Sequence, residues 1–199
     1  MTNTPSSPTD PCSPPTPTLV QRARGGSAAA FQALYECYAR ALFTFFLGYT
    51  ADEGLAEEMV NDAFLRVWQA LGRYREEGHF RAWLFRIARN LAADQHRRRQ
   101  RRPTEIPLSE EYLETASQAA SGAQAAENAR LSDLLAEVQG ALQHLRPDYR
   151  AVLLLRFIEG LSVRETARAL DRSEGAVRVL QVRALQALRR YLNQQETPT

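Results

Sequence analysis

The stretch from His79 to Arg102, HFRAWLFRIARNLAADQHRRRQRR, limits the chain more than any other. Phe80, Trp83, Leu84, Ile87, Ala88 and Leu91 recur at helical spacing, so one face of this predicted helix must be buried. The other faces carry Arg81, Arg86 and Arg89, and the helix runs out into Arg97, Arg98, Arg99, Arg101 and Arg102. From Arg73 to Arg102 ten arginines face only Glu76, Glu77 and Asp94. A helix apolar on one side and cationic on the other suits a polyanionic partner with regular spacing, of which nucleic acid is the obvious candidate. Charge runs are more often solvated faces or membrane-surface patches. The interleaving of Tyr74, His79, Trp83 and Phe85 with the arginines argues against both, because single-stranded nucleic acid needs stacking rings beside phosphate contacts. Trp83 lies in the apolar stripe and reads as core. Tyr74, in the polar stretch before the helix, is the better base contact.

Upstream, residues 1–19 hold six of the ten prolines among Thr and Ser. They offer too little apolar surface to offset ordering entropy and are expected to be disordered. Ser27 is a predicted N-cap for a helix carrying Phe31, Leu34, Tyr35, Tyr38, Leu42 and Phe45, broken by Gly48 to Ala51. Asp52 caps the next, whose wide stripe is Leu55, Met59, Val60, Ala63, Phe64, Val67, Trp68 and Leu71. Its outward face shows Glu57, Glu58, Asn61, Asp62 and Arg66. No strand signal interrupts these helices, which pack naturally as one all-α unit.

Composition changes after Arg102. Residues 103–129 contain Glu105, Glu110, Glu111, Glu114 and Glu127, no basic residue, and prolines at 103 and 107. This reads as a flexible acidic linker that leaves the distance between two domains open. Beyond it Leu131, Leu134, Leu135, Val138, Leu142 and Leu145 line a helix, and Pro147 starts another that stops at Gly160. Ser162-Val163-Arg164-Glu165 is a capping box. Its short helix ends near Leu170, Asp171-Arg172-Ser173 turns the chain, and Ser173 caps a long final helix. Short helix, tight turn and longer helix make a helix-turn-helix. Val177, Leu180, Ala184, Leu188 and Tyr191 form its packing stripe. Arg178, Val179 and Val182 face the other way, with Arg172 and Arg183 flanking them. An αα-hairpin in a protein that never meets DNA has the same local pattern. The basic first domain tips the balance.

Several classes are excluded. All 25 basic residues are Arg, a type suited to phosphate recognition, but the complete absence of Lys is better explained by genomic base composition and carries little functional weight. Cys12 and Cys37 stand apart with no C-x-x-C, and His79, His96 and His144 lack metal-ligand spacing, so no metal or cofactor is expected and a reducing cytoplasm is the default. No secretory signal or bilayer-spanning run appears. No Walker A, nucleophile elbow or H-E-x-x-H is present, so no enzyme is expected.

Four segments, AEEMVNDAFLRVWQAL (56–71), FRAWLFRIARNLAADQHRRR (80–99), LRPDYRAVLLLRFIEGLSVRETARAL (145–170) and SEGAVRVLQVRAL (173–185), resemble the extracytoplasmic-function (ECF) sigma factors of bacterial RNA polymerase, in order. The resemblance implies an all-α chain of two small helical domains joined by a flexible linker: a tail at 1–19, sigma region 2 at 20–102, the linker at 103–129, and a region 4 helix-turn-helix at 130–194. It implies core RNA polymerase and promoter DNA as partners, no membrane insertion, and a cytoplasmic, nucleoid-associated place of work. An anti-sigma protein is a further partner the family allows. On this likeness Glu57, Glu58, Asn61, Asp62 and Arg66 would contact core polymerase. Tyr74, Arg86, Asn90, Arg97, Arg98 and Arg99 would serve the minus-ten region, and Arg172, Ser173, Arg178, Val179, Val182 and Arg183 the minus-thirty-five region. Asp94 reads better as a bridge to Arg97 or Arg98 than as a base contact. Val179-Leu180 stands where many members have Ser-Arg, leaving fewer polar groups to read bases. The rival reading is a conventional helix-turn-helix regulator on a palindromic operator.

Overall fold

The computed structural model describes Cys12, residues 16–75, 77–101 and 137–195. The expectations for residues 1–11, the linker 103–129, and Leu131, Leu134 and Leu135 lie outside the described residues. Where described, the chain is helical: α1 Thr16–Arg24, α2 Ala28–Thr50, α3 Glu53–Leu71, α4 Phe80–Arg101, α5 (137–144), α6 Pro147–Leu153 continuing into a π-helical turn Leu154–Ile158, α7 Val163–Leu170 and α8 Glu174–Gln195.

Local chemistry sets the starts. The Ser27 hydroxyl accepts from the Ala30 amide at 3.3 Å and the Asp52 carboxylate from the Leu55 amide at 2.9 Å. Each satisfies an amide that the first helical turn leaves without a backbone partner. α2 runs through Gly48 and stops at Ala51, which takes a left-handed φ of 55°. Gly48 is therefore no helix breaker. A Cβ there would lie 2.5 Å from Leu154 Cδ2, so the absent side chain lets the π-helical turn close onto α2.

Two features depart from the sequence reading near the N-terminus. α1 begins at Thr16, inside the stretch expected to be disordered, because Leu19, Val20 and Ala23 bury against α2. Cys12 and Cys37, isolated in sequence, are joined as a disulfide with a Cα–Cα distance of 5.4 Å.

The larger departure concerns the two modules. The linker alone leaves their separation free, yet their buried side chains form one continuous core. Arg150 of α6 is 3% exposed and donates to the carbonyls of Tyr49 (2.5 Å), Leu142 (2.7 Å) and Gln143 (2.5 Å). A buried guanidinium is tolerable only when its donors are met, and here carbonyls from both modules meet them. Tyr49 donates back to the Pro147 carbonyl at 3.3 Å, and Gln143 to that of Gly48 at 3.1 Å. Burial pushes the Tyr49 hydroxyl up to about 12 despite the neighbouring Arg150. The apolar positions that make this seam each look like own-module core in sequence, which is why periodicity alone does not announce it.

Candidate nucleic-acid interface

α4 is packed on two sides, against α3 and α2 on one and against α7 on the other. That explains Phe85, which is fully buried and not a stacking ring among the arginines as its position suggests. The accessible aromatic group is narrower. Tyr74 packs on Trp83 at 4.6 Å and on Phe80 at 5.7 Å, and Phe80 reaches Tyr38 of α2 at 5.7 Å. Tyr74 and Trp83 are both half-buried. Tyr74 therefore sits at the head of the basic helix as expected, with part of its ring already committed to Trp83.

The arginines divide by what holds them. Arg97, Arg98 and Arg99 are exposed at the far end of α4. Arg97 pairs with Asp94, which also faces Arg66 at 4.0 Å, in keeping with a bridging role for Asp94. Arg99 reaches the N-cap carboxylate of Asp52 at 3.4 Å. Asn90 is exposed and accepts from Arg89 at 3.2 Å. Along the first half of α4, the second module takes up the cations, through α6, the end of the π-helical turn and the turn of the helix-turn-helix. Arg86 meets Asp171 at 3.4 Å, Arg89 meets Asp148 at 3.4 Å, and Arg81 donates to the Glu159 carbonyl. Burial raises the Glu159 carboxyl to about 7, against the pull of Arg81.

The helix-turn-helix is built as its sequence suggests. The Glu165 amide donates to the Ser162 hydroxyl at 3.1 Å, and the Ser162 amide to the Glu165 carboxylate at 2.8 Å. Asp171 makes the turn in the left-handed region at φ 56°, a conformation that Asp tolerates better than most residues. The Ser173 hydroxyl accepts from the Ala176 amide at 3.2 Å. Val177 and Ala184 are buried, whereas Arg178, Val179, Val182 and Arg183 are exposed on the other side of α8. Arg178 is within 3.3 Å of Glu174, and Arg172 is 2.7 Å from Asp148. Asp148 thus joins an arginine of α4 to one of the turn. Sequence reasoning missed Asp148 and Asp171, because acids beside arginines look like ordinary surface until the two modules are brought together.

Among the described residues, the outward face of α3 meets this network only at Arg66, through Asp94. Glu57, Glu58, Asn61, Asp62 and Arg66 are all exposed there. Trp68, expected in the core, is 48% exposed and leans edge-on against Phe31 at 4.8 Å, and Leu65 beside it is 56% exposed. The stripe of α3 is wider than one packed face can cover, and that width was the available signal. The polar strip is thus adjoined by two exposed apolar side chains toward the C-terminal end of α3.

The comparisons agree with this geometry. The family models for sigma-70 region 2 and sigma-70 region 4 match residues 34–102 and 135–188, together more than half of the chain. The ECF RNA polymerase sigma factor BldN of Streptomyces coelicolor is 36% identical over 87% of this chain, which spans 64% of that protein's length. The RNA polymerase sigma-H factor of Pseudomonas aeruginosa is 32% identical over 87% of this chain and 92% of its own. Among solved structures, CnrH in complex with the cytosolic domain of CnrY is 29% identical, with a TM-score of 0.68 over 89% of this chain and 97% of that one. Bartonella quintana RpoE bound to the anti-sigma factor NepR shares the fold, with a TM-score of 0.61 over 82% of this chain and 96% of that one at 20% identity. Two amphipathic helical modules in the right order, a cationic α4 and a capped helix-turn-helix are thus explained together: the chain belongs to the sigma-70 family, as an ECF RNA polymerase sigma factor.

Proposed function

We propose that the chain binds core RNA polymerase through the outer face of α3, with Glu57, Glu58, Asn61, Asp62 and Arg66 around Leu65 and Trp68. The basic helix α4 and the loop before it, with Tyr74, Arg86, Asn90 and Arg97 to Arg99, then engage the minus-ten element and support its melting. The turn and first half of α8, with Arg172, Ser173, Arg178, Val179, Val182 and Arg183, engage the minus-thirty-five element. The functional modules are residues 20–102 and 130–194, joined by the acidic linker 103–129, and α1 supports the first. The chain works in the cytoplasm and is nucleoid-associated when bound to polymerase. An anti-sigma protein is a fitting further partner, since CnrH was solved bound to a second protein, the cytosolic domain of CnrY.

The observation that carries this reading is the division of labour among surfaces. The α3 face stays exposed while Arg86, Arg89 and Arg172 are held by Asp171 and Asp148. A surface free to meet protein, beside DNA contacts that are engaged until the modules part, suits a factor that reads promoters only on polymerase. The test is a promoter mobility shift with and without core polymerase. The protein alone should give no specific shift and the holoenzyme a strong one. Glu58→Arg with Asp62→Arg should abolish the second without unfolding the domain, because both positions lie off the buried stripe. Tight binding to a palindrome by the protein alone, indifferent to core polymerase, would establish the conventional regulator instead.

A further inference from the structure

We infer that Cys12 and Cys37 form a reversible thiol–disulfide site that clasps the N-terminal arm onto α2 beneath the aromatic cluster at the head of α4. Three observations carry this beyond a chance meeting of two cysteines. The Cα atoms are 5.4 Å apart, within the usual span of a disulfide, although 25 residues separate them in sequence. Cys12 is 7% exposed and belongs to the same buried cluster as Leu19, Val20 and Leu34, so its sulfur is held in place by packing. The bridge also lies beside a connected path. Thr16 and Tyr38 share a buried hydrogen bond of 2.8 Å, Tyr38 packs on Phe80 at 5.7 Å, and Phe80 packs on Tyr74 at 5.7 Å and Trp83 at 5.6 Å. Tyr38 is the immediate neighbour of Cys37 on α2. What fixes Cys37 to the arm therefore also fixes the rings that precede the basic helix.

The oxidant is a low-molecular-weight disulfide of the glutathione type. Cys37 is the half-buried partner and reacts first. Its thiolate attacks one sulfur of the oxidant, releases one small thiolate and leaves a mixed disulfide on Cys37. The Cys12 thiolate then attacks the Cys37 sulfur, forms the Cys12–Cys37 bond and releases the second small thiolate. Two protein thiols are oxidised, one small disulfide is reduced to two thiols, and the reverse exchange restores the dithiol. A bridge in a cytoplasmic protein faces a reducing thiol pool, where lasting disulfides are rare and sensing ones are the common kind. Reversibility rests on the cytoplasmic setting proposed above, whereas the clasp itself does not.

The full-length protein is equilibrated in graded ratios of reduced to oxidised glutathione, alkylated, and read by mass spectrometry and by hydrogen exchange of the Thr16–Arg24 amides. The expected result is one two-electron transition from dithiol to a Cys12–Cys37 cross-linked peptide. Closing a loop of this length confines the open arm, so α1 amides should exchange on the order of a hundredfold more slowly in the bridged form. The first turn of α4 should follow in the same direction. Cys12→Ser and Cys37→Ser should each exchange like the reduced parent at every ratio. Mixed disulfides without the cross-link would overturn the proposal. So would a cross-link that leaves α1 exchange unchanged, and this comparison uses the parent protein alone, whether or not the variants fold. Neither readout involves polymerase or promoter, so failure here would leave the assignment as a sigma factor standing.

Discussion

Asp148→Asn should loosen the packing of α4 against α6 and the turn of the helix-turn-helix. The Asp148 carboxylate faces Arg89 at 3.4 Å and Arg172 at 2.7 Å, and all three side chains are between 27% and 40% exposed. Ion pairs this accessible contribute about 0.2–1 kcal/mol each. Losing both should therefore weaken the closed arrangement by about 1 kcal/mol, or roughly fivefold in its equilibrium. Asn keeps the shape of the side chain and can still accept a hydrogen bond, so the buried Arg150 contacts next door should survive. If promoter DNA binds only the open form, its apparent affinity for the free protein scales with the open fraction. Fluorescence anisotropy with a labelled promoter duplex, without polymerase and at fixed salt, should then show about a fivefold gain. Removing any acid strengthens DNA binding somewhat by charge alone. Asp62→Asn, on the far face of α3, is the matched control and should gain much less. Equal gains in the two variants, or none in either, would refute the view that Asp148 holds the arginines away from DNA.

Three further outcomes follow from particular residues. Glu159, raised to about 7 by burial, binds its proton more tightly when packed than when solvated. The packed form should therefore lose stability as pH rises from the usual carboxylate range to about 7 and level off above. That amounts to on the order of 3 kcal/mol, a slope that Glu159→Gln should flatten in thermal melts while stabilising the protein at pH 8; an unchanged profile would mean the carboxyl is solvated. Gly48→Ala should push Leu154 off α2 and cost about 1–3 kcal/mol in denaturant unfolding, since a Cβ would meet Leu154 Cδ2 at 2.5 Å; a neutral result would mean that the seam is loosely packed. In a randomised promoter library with holoenzyme, Arg178→Ala should relax preference at one or two minus-thirty-five positions by about 1–3 kcal/mol, whereas Arg183→Ala weakens all promoters alike; identical sequence profiles would erase the distinction.

What could be read in the sequence was whatever a few neighbouring residues decide. Ser27, Asp52, Ser173 and the Ser162–Glu165 box each announce a helix start through a side chain that meets a nearby amide, and each does so in the structure. The helix-turn-helix followed from the same local rules. What escaped was set by contacts across a hundred residues of chain, such as Arg150 to the Tyr49 carbonyl, 101 positions away. Phe85 and Trp68 show the same limit at single positions. Periodicity says that a face is apolar but not how many neighbours cover it, so the ring on twice-covered α4 is buried and the one at the edge of α3 is not. The family likeness supplied candidate contact residues. It did not foresee that Arg86, Arg89 and Arg172 would be engaged within the chain itself.

The carboxylates of Asp148 and Asp171 have a consequence for how added electrolyte acts on this protein. Each phosphate that an arginine neutralises releases counterions from the duplex, so association normally weakens steeply as salt rises. Here the same ions also screen the internal pairs that hold Arg86, Arg89 and Arg172, and so favour their release. The two effects oppose each other. For the free chain, the slope of log affinity against log salt should be shallower than its phosphate contacts alone would give. If core polymerase parts the modules beforehand, as proposed, it should restore the full slope. On the proposed assignment, the internal acids would act as counterions that the protein carries with it, exchanged for the phosphates of a promoter when the two modules are drawn apart.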